Sequence, residues 1–507
     1  MTLQLLMNIT YWLTVANNTL VEDFDISLIE KCIGLLKPLK SAGCDGISSE
    51  YLINSHPCLA LQLKQLFTMI LKHSYVPSQF GVGIIVPIVK DRHGDLSSLE
   101  NYRPITLSPV ISKVFEIFIL EKYSEFFKTD PLQFGFQKGI GCSSAIFALR
   151  QVVNYFNDRG SNVYIASLDA TKAFDRVNHF KMFSTLYKVN VPSFLIKTIV
   201  NWYGKLKVCI KWNGVFSDVF NVYSGVRQGG VLSPFLFNLY VNCIITELRR
   251  KRLGCCINDI YLGILMYADD ILLLSSSCIE LQNMLNVCSD IGNDLSINFN
   301  AKKSACAVVG SYNSTNLCTL SINNINLMWH DRIKYLEFYL KSATKFTTDF
   351  NEARRNYFTT LNNILSNTKH CSEMVKLELI ERQCMPILLY CMECFSLSST
   401  EIASLNSWIN MAYRKIFGYN KWESVRTLLF FLGRMNLYYT IKLRRILFLK
   451  NLEMSNNSVL RGLFKFLRTQ SELHKVLTLR CNTIDLSCSA GVIRQIIFSD
   501  FADTVII

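Results

Sequence analysis

The most apolar stretch of the chain, residues 261–274, is split by two adjacent carboxylates, Asp269 and Asp270. A bilayer-spanning helix needs roughly 18 uninterrupted apolar residues, and paired carboxylates at its centre are costly in lipid. The stretch is therefore read as two strands, 260–266 and 271–274, meeting at the turn Tyr267-Ala-Asp-Asp270. Two carboxylates at a hairpin tip can hold a divalent cation. A lone Asp-Asp pair is more often just a pair of turn residues. No other window reaches spanning length, so no membrane partner is expected.

A second acidic motif lies upstream. Residues 163–168 read as an apolar strand that delivers Asp169 at its end, and Ser167-Leu-Asp-Ala-Thr-Lys-Ala-Phe-Asp175 closes on a second acid, near which a helix is predicted to start. A strand-end aspartate beside a hairpin pair can hold two Mg²⁺ roughly 3.5 to 4 Å apart, the arrangement used for in-line phosphoryl or nucleotidyl transfer. Helix N-capping is the plainer reading of both acids, more so for Asp175. A third motif, Gly225-Val-Arg-Gln-Gly-Gly-Val-Leu-Ser-Pro234, has glycines that let backbone approach a ligand, and Ser233-Pro234 reads as N-cap and N1 of a helix. An ordinary loop before a helix looks the same. Lys90, Arg103 and Lys303 together offer partners for a triphosphate, although each singly reads as a solvated surface charge.

Helical periodicity marks residues 26–36, 59–73 and 112–127, and a β-rich run at 83–90 contains Pro87, which predicts an edge or a bulge. A helical stretch covers 180–203. A strand pair covers 207–222, with Asn213-Gly214 as its turn. Beyond Lys303 the period becomes mostly helical, as at 373–389, 404–417 and 440–454. The first half thus reads as α+β and the second as helical and basic. Net charge is +14, of which residues 401–507 hold +8, from fifteen Lys or Arg against seven Asp or Glu. That balance favours a polyanionic partner, contacted most strongly toward the C-terminal end, although a merely basic enzyme fits too. The 18 cysteines are scattered through a long chain with no signal peptide in residues 1–15, which favours a reducing compartment. Cys384, Cys391 and Cys394, near His370 and Cys371, form the one metal-like cluster, but no second pair at zinc-finger spacing completes it and Cys481 and Cys488 add none, so an apolar core is the favoured reading.

From about Cys32 to Lys303 the chain resembles the reverse transcriptases of non-LTR (LINE-type) retrotransposons. The resemblance rests on Lys40-Ser-Ala-Gly-Cys-Asp-Gly-Ile, Ile85-Val-Pro-Ile-Val-Lys90, Asn101-Tyr-Arg-Pro-Ile-Thr-Leu, Gln133-Phe-Gly-Phe-Gln-Lys, the Asp169 motif, Arg227-Gln-Gly-Gly-Val-Leu-Ser-Pro and Tyr267-Ala-Asp-Asp, in that order. Looser similarity to jockey-like elements continues through Tyr335-Leu-Glu-Phe-Tyr-Leu and residues 414–426. It implies an α+β right-hand polymerase, with fingers, an RNA-recognition-like palm sheet and a mostly helical thumb and C-terminal region. The expected divisions are 1–80 (helical extension and start of fingers), 81–310 (fingers and palm), 311–420 (thumb-like helices) and 421–507 (basic helical segment).

The implied activity is RNA-directed DNA synthesis by two-metal nucleotidyl transfer, with Mg²⁺ or alternatively Mn²⁺. The resemblance assigns Asp169, Asp269 and Asp270 to the metals. It assigns Lys90, Arg103, Phe174 and Gln228 to the deoxynucleoside triphosphate, with Phe174 excluding a 2′-hydroxyl, and Lys303 to protonation of pyrophosphate. Implied partners are an RNA template and a DNA primer or target end, in the cytoplasm and nucleus. The endonuclease that usually precedes such polymerases does not fit before Cys32, so a nick supplied in trans is expected. Cys44 stands where the family usually has Pro, and Glu337 interrupts its Tyr-Leu-Gly pattern. Competing readings are a catalytically silent RNA-binding scaffold or decayed copy, disfavoured by the retained carboxylates, and an RNA-templated RNA polymerase, disfavoured by Phe174. An intron maturase is disfavoured by the jockey-like C-terminal segment.

Overall fold

The structure is a computed structural model describing residues 23–311, 317–469, 471–479 and 483–506. Residues 1–15, read above for a signal peptide, and Cys481 lie outside them. The described strands, in chain order, are β1 (Val82–Val89), β2 (Tyr102–Leu107), β3 (Val163–Leu168), β4 (Lys207–Trp212), β5 (Val215–Phe216), β6 (Phe220–Asn221), β7 (Cys256–Ile257), β8 (Ile260–Tyr261), β9 (Ile264–Tyr267), β10 (Asp270–Ser275), β11 (Ala305–Val309), β12 (Leu320–Ile322), β13 (Ile325–Trp329), β14 (Arg332–Tyr335), β15 (Phe338–Lys341) and β16 (Thr347–Thr348). Two units interleave along the chain. The first takes the chain through Phe136 with Asp169–Glu247 and Asn286–Asn300. The second takes Gln137–Leu168, Leu248–Leu285 and the chain from Ala301 onward.

The first unit packs helices beside a sheet ordered β2-β1-β4-β5, with β6 also on β4. Its helix Ile26–Gly34 starts where the Asp25 side chain accepts from Ser27 N, and it buries Ile29, Cys32 and Ile33 on one face. Helix Cys58–His73 buries Leu63, Phe67, Ile70 and Leu71. Phe67, Phe115, Phe118 and Trp202, all almost fully buried, form the aromatic centre of this core. The expected edge position of Pro87 holds only locally: β1 is flanked by β2 and β4, but the β4 pairing does not reach Pro87. Lys90 N donates to Asn101 O at 2.8 Å, which fixes the alternation so that Pro87 and its partner Pro104 form a non-hydrogen-bonded pair. Neither nitrogen is needed by the ladder there, and pairing with β4 has already ended at Ile85. The Asn213-Gly214 turn is present, with both residues at positive φ. The helical stretch at 180–203 is two helices, His179–Lys188 and Ser193–Tyr203, parted at Pro192.

The second unit is built on a six-stranded sheet ordered β12-β13-β11-β3-β10-β9. β3 runs antiparallel to both β10 and β11, with Leu168 opposite Ile271 and Ser167 opposite Ala305. The β9–β10 hairpin is as expected, but Gly263 parts it from the short β8, so the upstream strand begins at Ile264. Residues 311–420, expected to be thumb-like helices, instead open with five strands, β12–β16. Helices begin only at Asn351–Asn367. Short apolar runs in this stretch, such as Ile333, Tyr335, Phe338 and Leu340, alternate with exposed or half-exposed neighbours at a period of two. Glu337 sits with Leu336 in the β14–β15 turn, at φ 63° and 46°. Such a turn wants two left-handed residues, which explains glycine in the common pattern; here Lys334 Nζ pairs with Glu337 at 2.8 Å. The helices Glu373–Gln383, Ser399–Phe417 and Leu437–Glu453 follow the expected periodicities. The chain is thus α+β with a helical C-terminal region. Among the described residues no helix is long and apolar enough to cross a membrane.

Candidate active site

In the second unit, Asp270 opens β10 opposite Tyr267, and Ala268 and Asp269 form the two-residue turn between them. Ala268 takes φ 57°, a left-handed conformation that a residue with a Cβ adopts at a cost, and strain of this kind concentrates at working sites. Asp269 is half-exposed and Asp270 exposed, while Ile271 to Leu274 are buried, so the strand is anchored in the core and only its leading carboxylates reach solvent. Burial, with the Asp270 charge nearby, holds the Tyr335 hydroxyl protonated well above the usual phenol range. Tyr335 is therefore no anionic donor. Tyr267 is pushed up to about 12 by burial, helped by the Cys142 thiol. Because β10 and β11 are both antiparallel to β3, their first residues share one end of the sheet. The exposed Lys303, two residues before β11, belongs to that same end.

In the first unit, the segment after Asp169 and the loop after Ser224 are laced together. Gly225 N donates to Val177 O and Val226 N to Phe174 O, each at 2.8 Å. Gly225, at φ 86°, lies so close that a Cβ there would stand 2.8 Å from Asp175 O. Gln228 Nε2 donates to Asp175 Oδ1 at 2.8 Å, and Thr106 N on β2 donates to Gln228 O at 2.6 Å. The capping expectation for Asp175 is corrected: only a three-residue 3₁₀ turn, Phe174–Arg176, forms there, and the helix begins at His179 with Asn178 as its cap. Burial raises the Asp175 pKa above the usual carboxylate range, opposed by the Gln228 hydrogen bond and by the Lys172 and Lys90 charges. Phe174 stacks on Phe237 at 4.4 Å and meets Phe136 edge-on at 6.4 Å, yet stays half-exposed. It is both a packed aromatic and an available surface. Arg103 lies across from Ile88, and Lys90 Nζ donates to Glu100 O at 2.9 Å; both cations are exposed.

Sequence reasoning missed what holds this loop from beneath. Arg227 and Glu116 form an ion pair at 2.8 Å, with side chains only 8% and 2% exposed. Glu116 also accepts from Val231 N and from Leu232 N at 3.1 Å, while Arg227 donates to Phe80 O at 3.1 Å and lies over the Trp202 ring. The signal was an acid, Glu116, set inside the apolar run Val114–Leu120 of helix Val110–Lys122, where Val114, Phe115, Ile117 and Phe118 are all buried. A buried charge without a partner is too costly to persist.

The Cys391 and Cys394 thiols are turned to protein partners rather than to each other. Ser143 Oγ donates to Cys391 Sγ at 3.5 Å, and Cys394 Sγ donates to Ser143 O at 3.0 Å. Burial pushes Cys391 up to about 12 and Cys384 up to about 11, which disfavours the thiolates a zinc ion takes. Among the described residues, no group of three or more His, Cys, Asp or Glu side chains is placed to hold a metal by itself. The donor chemistry at the hairpin tip does suit a hard cation. Mg²⁺ keeps water and takes one or two carboxylates together with substrate phosphates, so it needs no protein cage.

Residues 89–340 match the family described as reverse transcriptase (RNA-dependent DNA polymerase). The chain is 27% identical over 410 residues to the RNA-directed DNA polymerase from mobile element jockey of Drosophila funebris, covering 77% of this chain and 43% of that protein. It is 24% identical over 363 residues to the Pol polyprotein of retrotransposable element R2 from Popillia japonica, covering 68% and 49%. An apo telomerase from Candida tropicalis aligns at 14% identity and a TM-score of 0.39, over 81% of this chain and 74% of that one. The chain thus carries a reverse transcriptase domain, of the family found in non-LTR retrotransposons, a family whose members generally use divalent metal ions. It spans less than half the length of these two relatives.

Proposed function

We propose that the protein is an RNA-directed DNA polymerase that extends a DNA 3′-end on an RNA template. The observation that carries this reading is the strand register of the six-stranded sheet. β3 ends at Leu168 opposite Ile271, the residue after Leu168 is Asp169, and the residues before Ile271 are Asp269 and Asp270. In this reading the three carboxylates hold two Mg²⁺, or Mn²⁺, which when bound lower the pKa of the primer 3′-hydroxyl and neutralise charge on the departing pyrophosphate. Lys90 and Arg103 hold the triphosphate, Gln228 touches the nucleotide, and Lys303 gives a proton to pyrophosphate.

The test is primer extension by the full chain on poly(rA) with an oligo(dT) primer in Mg²⁺, supplied with dTTP or UTP. Extension with dTTP alone supports the reading. A folded protein that binds RNA in a salt-dependent way yet extends nothing points instead to a silent scaffold. Phe174, braced by Phe237, presents a rigid ring as the sugar gate. Phe174→Ala is expected to narrow the preference for dTTP over UTP by about tenfold or more, since a filled pocket rejects an extra hydroxyl by about a hundredfold. Unchanged preference would assign Phe174 to packing alone.

In the second unit an open groove of about 700 Å³ is lined by Arg332, Arg354, Arg355 and Phe358. Cations beside an aromatic suit a nucleic-acid strand. Replacing Arg354 and Arg355 by Glu is expected to weaken RNA binding and to flatten log K against log salt by about 1.4 if each contacts one phosphate of a single strand. An unaltered slope in a filter-binding titration would remove the groove from the template path.

A further inference from the structure

We infer that Asp175 is a positioning residue for the incoming nucleotide, acting through Gln228, whose amide it holds with the carbonyl end presented to the ligand. The inference rests on the polymerase reading above. Gln228 is fixed at two points: its backbone carbonyl accepts from Thr106 N on β2, and its side-chain amide donates to Asp175 Oδ1. A glutamine amide has one donating and one accepting end, and an ionised carboxylate can only accept. Asp175 Oδ1 accepts from the NH₂ end, which leaves Oε1 as the acceptor for the ligand. Rotation of the amide by half a turn would set two acceptors against each other. The segment itself cannot drift, because Val226 and Gly225 are hydrogen-bonded to Phe174 and Val177 on either side of Asp175, and Gly225 packs directly on the Asp175 backbone.

Gly229 extends the same logic along the loop. It takes φ 116°, and a Cβ there would stand 2.7 Å from Thr106 O, so the backbone after Gln228 is pressed against β2. Asp175 is six residues from Asp169 and touches the loop bearing Gln228, so one short stretch of chain links the first metal carboxylate to the nucleotide contact. Lys90 and Lys172 lie near enough to stabilise its charge. The ligand this arrangement serves is a nucleoside triphosphate with a hydrogen-bond donor facing Gln228 Oε1. A sugar hydroxyl or a base N–H meets that description.

The test uses the full chain bound to poly(rA)·oligo(dT). Equilibrium affinity for dTTP is measured in Ca²⁺, and KM and kcat in Mg²⁺, for Asp175→Ala, Asp175→Asn, Gln228→Ala and the Asp175→Ala/Gln228→Ala pair. Asp175→Ala is expected to weaken dTTP binding and raise KM about tenfold, the loss typical of a hydrogen bond to a charged group, with a smaller effect on kcat. Gln228→Ala should do the same, and the double variant no more than either alone. Asp175→Asn, which keeps an acceptor oxygen, should recover most of the loss, whereas a purely structural lesion would shift melting and kcat without that recovery. Normal dTTP binding by Asp175→Ala, or additive effects in the double variant, overturns the inference alone. No dTTP binding by the unaltered protein overturns the polymerase reading and this inference with it.

Discussion

Asp269→Ala is expected to abolish primer extension, lowering the rate by roughly a thousandfold or more, while melting stays close to that of the unaltered protein. The magnitude follows from what the side chain is proposed to do. Losing even one fixed donor to a developing charge costs about 10²–10³ in rate, and losing a metal position removes more than one such interaction. Stability should change little because Asp269 stands in a turn, half-exposed, while the buried anchor of the hairpin is Ile271 to Leu274. Circular dichroism and a thermal melt beside the extension assay separate the two effects. A folded Asp269→Ala protein that still extends primer would remove this residue from the chemistry.

Glu116→Leu is expected to destabilise the protein by about 3–5 kcal/mol in urea unfolding, because it strands the Arg227 guanidinium in a buried site. Glu116 is 2% exposed and Arg227 8%, so little water can replace the lost partner. Val231 N and Leu232 N lose their acceptor as well. Replacing both charges, Glu116→Leu with Arg227→Met, should recover much of that loss, since a well-packed apolar pair often matches a buried ion pair. Gln228 and its neighbours would still lose their footing, so the double variant is expected to be stable but weaker in nucleotide binding. If Glu116→Leu unfolds at the same urea concentration as the unaltered protein, the pair does not hold the loop.

How much was legible depended on whether the governing interactions are local. The strand 163–168 and the Asn213-Gly214 turn could be read directly, since side-chain period and turn chemistry act over a few residues. The hairpin carrying Asp269 and Asp270 was legible because carboxylates interrupting an apolar run leave little choice but a turn. Residues 320–348 were misread because their strands are only two to five residues long. Over such lengths a period of two and one of 3.6 cannot be told apart.

Pro87 illustrates the opposite limit. By itself it argues for an edge, and the conflict with a strand lying between two others disappears only because Pro87 falls at a non-hydrogen-bonded pair with Pro104 and beyond the end of the β4 pairing. The roles of Asp175 and Glu116 were likewise closed to the sequence, which offered a helix cap for one and nothing for the other. Their partners, Gln228 and Arg227, lie 53 and 111 residues away. The sequence alone determined the family, the elements with strong local signals and the carboxylates presented at strand ends, because short-range sterics and residue chemistry govern those. Tertiary structure alone decided which buried charges meet, which end of an amide meets a carboxylate and which left-handed turns a non-glycine residue must bear, because each depends on groups brought together only when the chain closes on itself.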